Sequence, residues 1–84
     1  MTLLYFASLR ETVGRSREDV ALPTHGTPTV AALVESLRAR DARWSEAFAP
    51  GKPWRVAVNQ RMADPATPLK AGDEVAFFPP VTGG

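Results

Sequence analysis

The stretch TPTVAALVESLRARD holds the clearest helical period in the chain. Val30, Leu33, Val34 and Leu37 recur at i, i+3, i+4 and i+7 and line one apolar stripe, while Glu35, Arg38 and Arg40 lie off it. Thr29, just ahead of the stripe, is a predicted N-cap. A helix this short holds its shape only when the stripe is buried against another element, so the chain must supply a surface for it. The flanking sequence offers short β-rich runs. TLLYFA alternates Leu3 and Tyr5 with Leu4 and Phe6; EDVALP places Val20 and Leu22 on one face and stops at Pro23; RVAVN pairs Val56 with Val58; EVAFF is the last strand. SLRETVG predicts a turn or two of helix closed by Gly14, and RWSEAFAPGKPW an irregular helical turn that breaks at Pro50 and Gly51. PLKAGD turns at Gly72, and a small additional strand fits around Met62 or Leu69.

Strand, strand, helix, strand, strand is the order of an α+β chain in which a mixed sheet of four or five strands packs on one main helix. This is the β-grasp, or ubiquitin-like, arrangement, with residues 1–78 as the domain and 79–84 as an extended C-terminal tail. Parity then makes a sharper statement. If the helix covers the face holding Leu3, Tyr5, Val75 and Phe77, then Leu4, Phe6 and Phe78 gather on the other face, which should be polar if water is its only neighbour. An exposed apolar cluster on a small domain points to a partner. The competing expectation is that Trp44 or Trp54 folds over it.

Several classes of chemistry are excluded. With 84 residues and no cysteine, the chain is one small domain without a disulfide, a thiolate metal site or a cysteine nucleophile, so any sulfur chemistry must use sulfur from outside. His25 is the sole histidine and sits in the loop-like LPTHGTP, which leaves no histidine metal cluster and no catalytic triad. A net charge of +1, with Arg10, Arg15 and Arg17 and then Arg38, Arg40 and Arg43 in separate clusters, gives no footprint for nucleic acid or for an anionic membrane. MTLLYFASLRE lacks a basic leader and its apolar run ends at Arg10, so a cytoplasmic location is expected.

The chain ends FFPPVTGG. Pro79 and Pro80 carry no N–H and fix φ near −65°, so the sheet ladder must stop and the chain must leave it extended. Six residues at roughly 3.1 Å each make an arm of about 19 Å. At its tip Gly83 and Gly84 have no side chains, so they fit a passage too narrow for any other residue. The terminal carboxylate, ionised at neutral pH, can attack the α-phosphate of ATP and so become a good acyl donor.

FFPPVTGG, AGDEVAFFPP, VAVNQ and the opening LLYFASLRETVG together resemble the family of molybdopterin synthase small subunits, ubiquitin-like sulfur carriers of the MoaD type. The likeness runs from about Thr2 to Gly84 and is most specific in the tail. It implies that Gly84 is adenylated by a ubiquitin-activating-like adenylyltransferase using ATP and then receives sulfur from a donor system as a thiocarboxylate. It further implies a heterotetramer with the synthase large subunit, in which Pro79, Pro80, Val81, Thr82 and Gly83 enter that subunit's active site and sulfur passes to cyclic pyranopterin monophosphate. The family contacts its large subunit through an apolar sheet surface, matched here by Leu4, Phe6 and Phe78, and through the position of Arg10. The resemblance implies no bound cofactor and no metal, and a chain without catalytic machinery of its own that acts as the sulfur-donating subunit. A thiamine-pathway sulfur carrier or a ubiquitin-like protein modifier, activated at the same glycine, is the alternative.

Overall fold

The computed structural model describes residues 1–22 and 28–80. Among them the chain forms, in order, β1 (Thr2–Tyr5), α1 (Ala7–Val13), β2 (Arg17–Asp19), α2 (Val30–Arg38), α3 (Ala42–Ala47), β3 (Arg55–Val58), β4 (Arg61–Met62) and β5 (Glu74–Phe78). The strands lie in one mixed sheet in the order β2-β1-β5-β3-β4. The two long-range central strands, β1 and β5, run parallel, with Leu3 opposite Val75 and Tyr5 opposite Phe77; the other pairings are antiparallel. This is the expected α+β β-grasp architecture, with α2 joined on the helical side by two shorter helices.

Local chemistry explains the boundaries. Thr29 caps α2 by accepting the Ala32 N–H at 3.2 Å, and Asp41 caps α3 by accepting the N–H groups of Arg43 and Trp44. Gly14 ends α1 at φ 80° with its N–H on the Arg10 carbonyl, a left-handed C′ position that a side chain would strain. Asn59 and Gln60, at φ 52° and 67°, form the tight turn between β3 and β4. Asn59 also ties that turn to β5: its Nδ2 donates to buried Asp73 at 3.0 Å, and its Oδ1 accepts the Glu74 N–H. That bond, with the Lys70 N–H, holds the Asp73 carboxyl below its ordinary pKa.

One core lies between the sheet and the helices. Leu3, Tyr5, Val56, Val75 and Phe77 supply the sheet side, and Leu9, Val13, Val30, Leu33, Val34 and Leu37 the helical side. Phe77 sits at the centre of an aromatic cluster, 5.0 Å from Phe48, 5.8 Å from Trp54 and 6.0 Å from Tyr5 between ring centroids. Trp44 stands edge-on to Tyr5 at 5.3 Å. Both tryptophans therefore pack on the helical side, and neither makes a ring pair with Phe6 or Phe78.

Two elements differ from the sequence reading. The second strand is Arg17–Asp19 rather than EDVALP; Val20 and Leu22 only pack against the margin of the core, and the Val20 N–H is taken by the Met1 carbonyl. A charged triplet can hold an edge position because its outward charges blunt that edge, while its one inward residue, Glu18, is satisfied. Glu18 accepts the Tyr5 hydroxyl at 2.7 Å and a two-pronged contact from Arg40 at 2.7 and 3.0 Å, and the Arg40 guanidinium lies 4.5 Å over the Trp44 ring. Burial alone would raise the Glu18 pKa; the bonds from Arg40 and Tyr5 outweigh it and hold the carboxyl below its usual range. Burial first, and the bond to Glu18 second, push the Tyr5 hydroxyl far above its ordinary value. β1 stops at Tyr5, so Phe6 is the N-cap of α1 rather than a strand residue. The small additional strand forms as expected around Met62, at Arg61–Met62, and Leu69, the other place considered for it, is a core residue whose N–H bonds the Pro28 carbonyl.

Candidate functional site

The register fixes which residues share the face opposite the helices, because directly opposed residues in a sheet point the same way. Leu4 lies opposite Arg17 on one side and Ala76 on the other; Ala76 is opposite Ala57, and Ala57 opposite Met62. This row crosses all five strands and is apolar in four of them. Phe78, opposite Arg55, stands next to the row toward the end of β5. Phe6 follows in extended geometry after β1, with its N–H on the Phe77 carbonyl. Phe6 is 49% exposed and Met62 66%, the large hydrophobic side chains most open to water among the described residues. No helix covers this face among the described residues.

The residues singled out in the sequence thus separate into groups. Leu4, Phe6 and Phe78 come together on the bare face. Arg10 is exposed on α1, one turn beyond Phe6, whose carbonyl its N–H approaches at 3.4 Å. Pro79 and Pro80 follow β5 outside any strand and border a groove of about 300 Å³ lined also by Ser8, Leu9 and Thr12 of α1 and by Trp54. Val81, Thr82, Gly83 and Gly84 lie outside the described residues, as does His25. Met62, Ala57 and Ala76 belong to the patch but were not assigned to it from the sequence. For the alanines no apolar bulk signalled it; for Met62 the signal was the register of a two-residue strand, which only the turn at Asn59 and Gln60 defines.

Backbone strain marks the entry to this site. Ala7, the first residue of α1 after exposed Phe6, takes a φ of 53°, a left-handed value that costs a residue with a Cβ about 1–2 kcal/mol. The described residues contain no group of three or more His, Cys, Asp or Glu side chains placed to hold a metal ion, and no helix long and apolar enough to cross a membrane.

Comparison with known proteins agrees with this picture. Residues 3–84 match the ThiS family. The chain is 48% identical over 82 residues to the molybdopterin synthase sulfur carrier subunit of Escherichia coli (strain K12), covering 98% of this chain and 96% of that one. Among solved structures it resembles SAMP1 from Haloferax volcanii, with a TM-score of 0.71 at 29% identity over 100% of this chain and 98% of that one. It also shares its fold with a chain of the complex of subunits 1 and 2 of molybdopterin-converting factor from Helicobacter pylori 26695, with a TM-score of 0.67 at 21% identity over 99% of this chain and 96% of that one. Matched along nearly its whole length in sequence and in fold, the chain belongs to the ThiS family, among whose members its relatives include molybdopterin synthase sulfur carrier subunits.

Proposed function

We propose that the chain is the sulfur carrier and small subunit of a molybdopterin synthase, with Gly84 as its reactive terminus. The observation that carries the reading is the bare apolar face of Leu4, Ala57, Met62, Ala76 and Phe78, which leads along β5 directly to the root of the Gly-Gly tail. The E. coli relative, named as such a carrier, supports it, as does the two-subunit complex formed by the Helicobacter pylori structural neighbour.

In this reading the work divides between the two parts. The bare face docks on a large subunit, Arg10 beside Phe6 adds a polar contact at its margin, and residues 79–84 reach into that subunit's active site. The Gly84 carboxylate first attacks the α-phosphate of ATP in an activating enzyme, releasing pyrophosphate and forming an acyl adenylate. A sulfur donor then displaces AMP to leave a thiocarboxylate, which gives its sulfur to cyclic pyranopterin monophosphate; two deliveries complete the dithiolene. ATP is thus a substrate of the activating enzyme and need not be held by the carrier.

Incubating the chain with the activating enzyme, ATP and a sulfur donor tests this by intact mass. The expected result is a gain equal to the difference between one sulfur and one oxygen, abolished when Gly84 is deleted. A truncated chain that still takes up and delivers sulfur would refute the role of Gly84.

A further inference from the structure

The charges around the bare face are ordered along the strands. Arg55 lies opposite Phe78 at the tail end, and Arg17 lies opposite Leu4 in the neighbouring row. At the other end Thr2 lies opposite both Asp19 and Glu74. Parity puts all four charged residues on the bare side: Glu18, between Arg17 and Asp19, turns inward to Tyr5, while Val56 and Val75, next to Arg55 and Glu74, are buried. None of the four takes part in an ion pair among the described residues, and the Asp19 carboxylate accepts only the Thr2 hydroxyl, at 2.9 Å. The N-terminal ammonium, at the acidic end, is turned to the Val20 carbonyl at 2.9 Å.

We propose that this face is electrostatically polarised, and that the large-subunit surface it meets carries acidic groups facing Arg17 and Arg55 and basic groups facing Asp19 and Glu74. The inference rests on the reading of the chain as a synthase subunit and adds the chemistry of the partner's surface. From Glu74 to Phe78, beside Arg55, is four residues of strand, about 13 Å. That exceeds the screening length of about 8 Å at physiological ionic strength, so Arg55 and Glu74 act separately, whereas Arg17 and Asp19, two residues apart on β2 at about 7 Å, only extend the same gradient. Apolar burial is non-directional, and the Leu4 row alone would accept a partner turned end for end. The poles forbid that, since the reversed pose sets like charges together. Orientation matters here because the tail leaves at the basic pole, and only one pose brings residues 79–84 to the partner's active site.

Association kinetics with the purified large subunit, followed across ionic strength, test the proposal. The variants are Arg17→Glu with Arg55→Glu, and separately Asp19→Lys with Glu74→Lys, each checked by its melting temperature. At low salt each pair should slow association by roughly tenfold or more, and the gap should close as salt rises. Rates equal to wild type, or opposite effects at the two ends, would overturn the polarity while leaving the subunit reading in place. A wild-type chain that does not bind the large subunit would overturn that reading and the polarity with it. The same face is self-complementary when turned about a two-fold axis, so sedimentation of the free chain completes the test: a dimer dispersed by Arg55→Glu would assign the poles to a second copy and overturn the proposal.

Discussion

The two faces of the sheet are built from the same strands and differ by one residue of register. On one, Leu3, Tyr5, Val56, Val75 and Phe77 meet three helices and are almost wholly closed to water. On the other, Leu4, Ala57, Met62, Ala76, Phe6 and Phe78 meet none, yet remain apolar. In the proposed reading, stability and recognition are therefore segregated by parity. The covered face holds the fold, and the bare face can be optimised for a partner with little effect on the core. The helical side also carries the Tyr5–Glu18–Arg40 bonds that fasten the edge strand, whereas the bare side carries the exposed side chains of Phe6 and Met62.

The strongest way to break this comparison is at Phe77. Phe77→Ser removes the centre of the aromatic cluster and buries a hydroxyl, and should cost about 3–5 kcal/mol, enough to unfold much of a domain this small. A chemical denaturation curve measures it; a small loss would mean that the register is shifted by one residue. The Glu18 clamp comes next. Glu18→Gln weakens the bonds from Arg40 and Tyr5 and should cost roughly 1–2 kcal/mol at neutral pH, read as a lowered melting temperature. The pH dependence has a definite sign. Glu18 and Asp73 both have folded pKa values below their unfolded ones, so their stabilisation is complete above the ordinary carboxylate range and disappears as pH falls through the folded values. Glu18→Gln should therefore flatten the acid limb of a stability–pH profile, and an unchanged limb would contradict the assignment.

A smaller effect is expected at the root of the tail. Replacing Pro79 and Pro80 with glycine should leave the melting temperature nearly unchanged while weakening large-subunit binding by about 1 kcal/mol or more, because the freed residues must be ordered on binding. Calorimetric titration distinguishes this from prolines that only end the strand, for which the affinity would equal wild type. The smallest effect sharpens the contrast between the faces: Ala7→Gly relieves a left-handed φ but adds chain entropy to the unfolded state, for a net gain of a few tenths of a kcal/mol. A loss of stability would show that the Ala7 methyl contributes packing that outweighs its strain.

What the sequence revealed, and what it hid, follows from how each element is specified. The α2 stripe, the Thr29 cap, the Gly14 stop and the parity of β1 and β5 are local patterns, and each was legible. The second strand was misplaced because Val20 and Leu22 carry the hydrophobic signal while Arg17, Glu18 and Asp19 carry the pairing; a charged edge strand is defined by its neighbour, not by its own composition. Trp44 and Trp54 could have been assigned to either face, since their direction depends on α3 and the loop after it, which no period in the sequence describes. In the candidate site, Leu4, Phe6 and Phe78 were legible by alternation, but Met62, Ala57 and Ala76 required the cross-strand register.

The division of labour between the faces is tested most directly at Phe78, the neighbour of Phe77 on the opposite side. Titrating the large subunit with wild type and with Phe78→Ser, alongside denaturation of both, should show affinity reduced tenfold or more, equivalent to roughly 1.4 kcal/mol, with the unfolding free energy within about 1 kcal/mol of wild type. Unchanged affinity, or a loss of stability comparable to that of Phe77→Ser, would contradict the account.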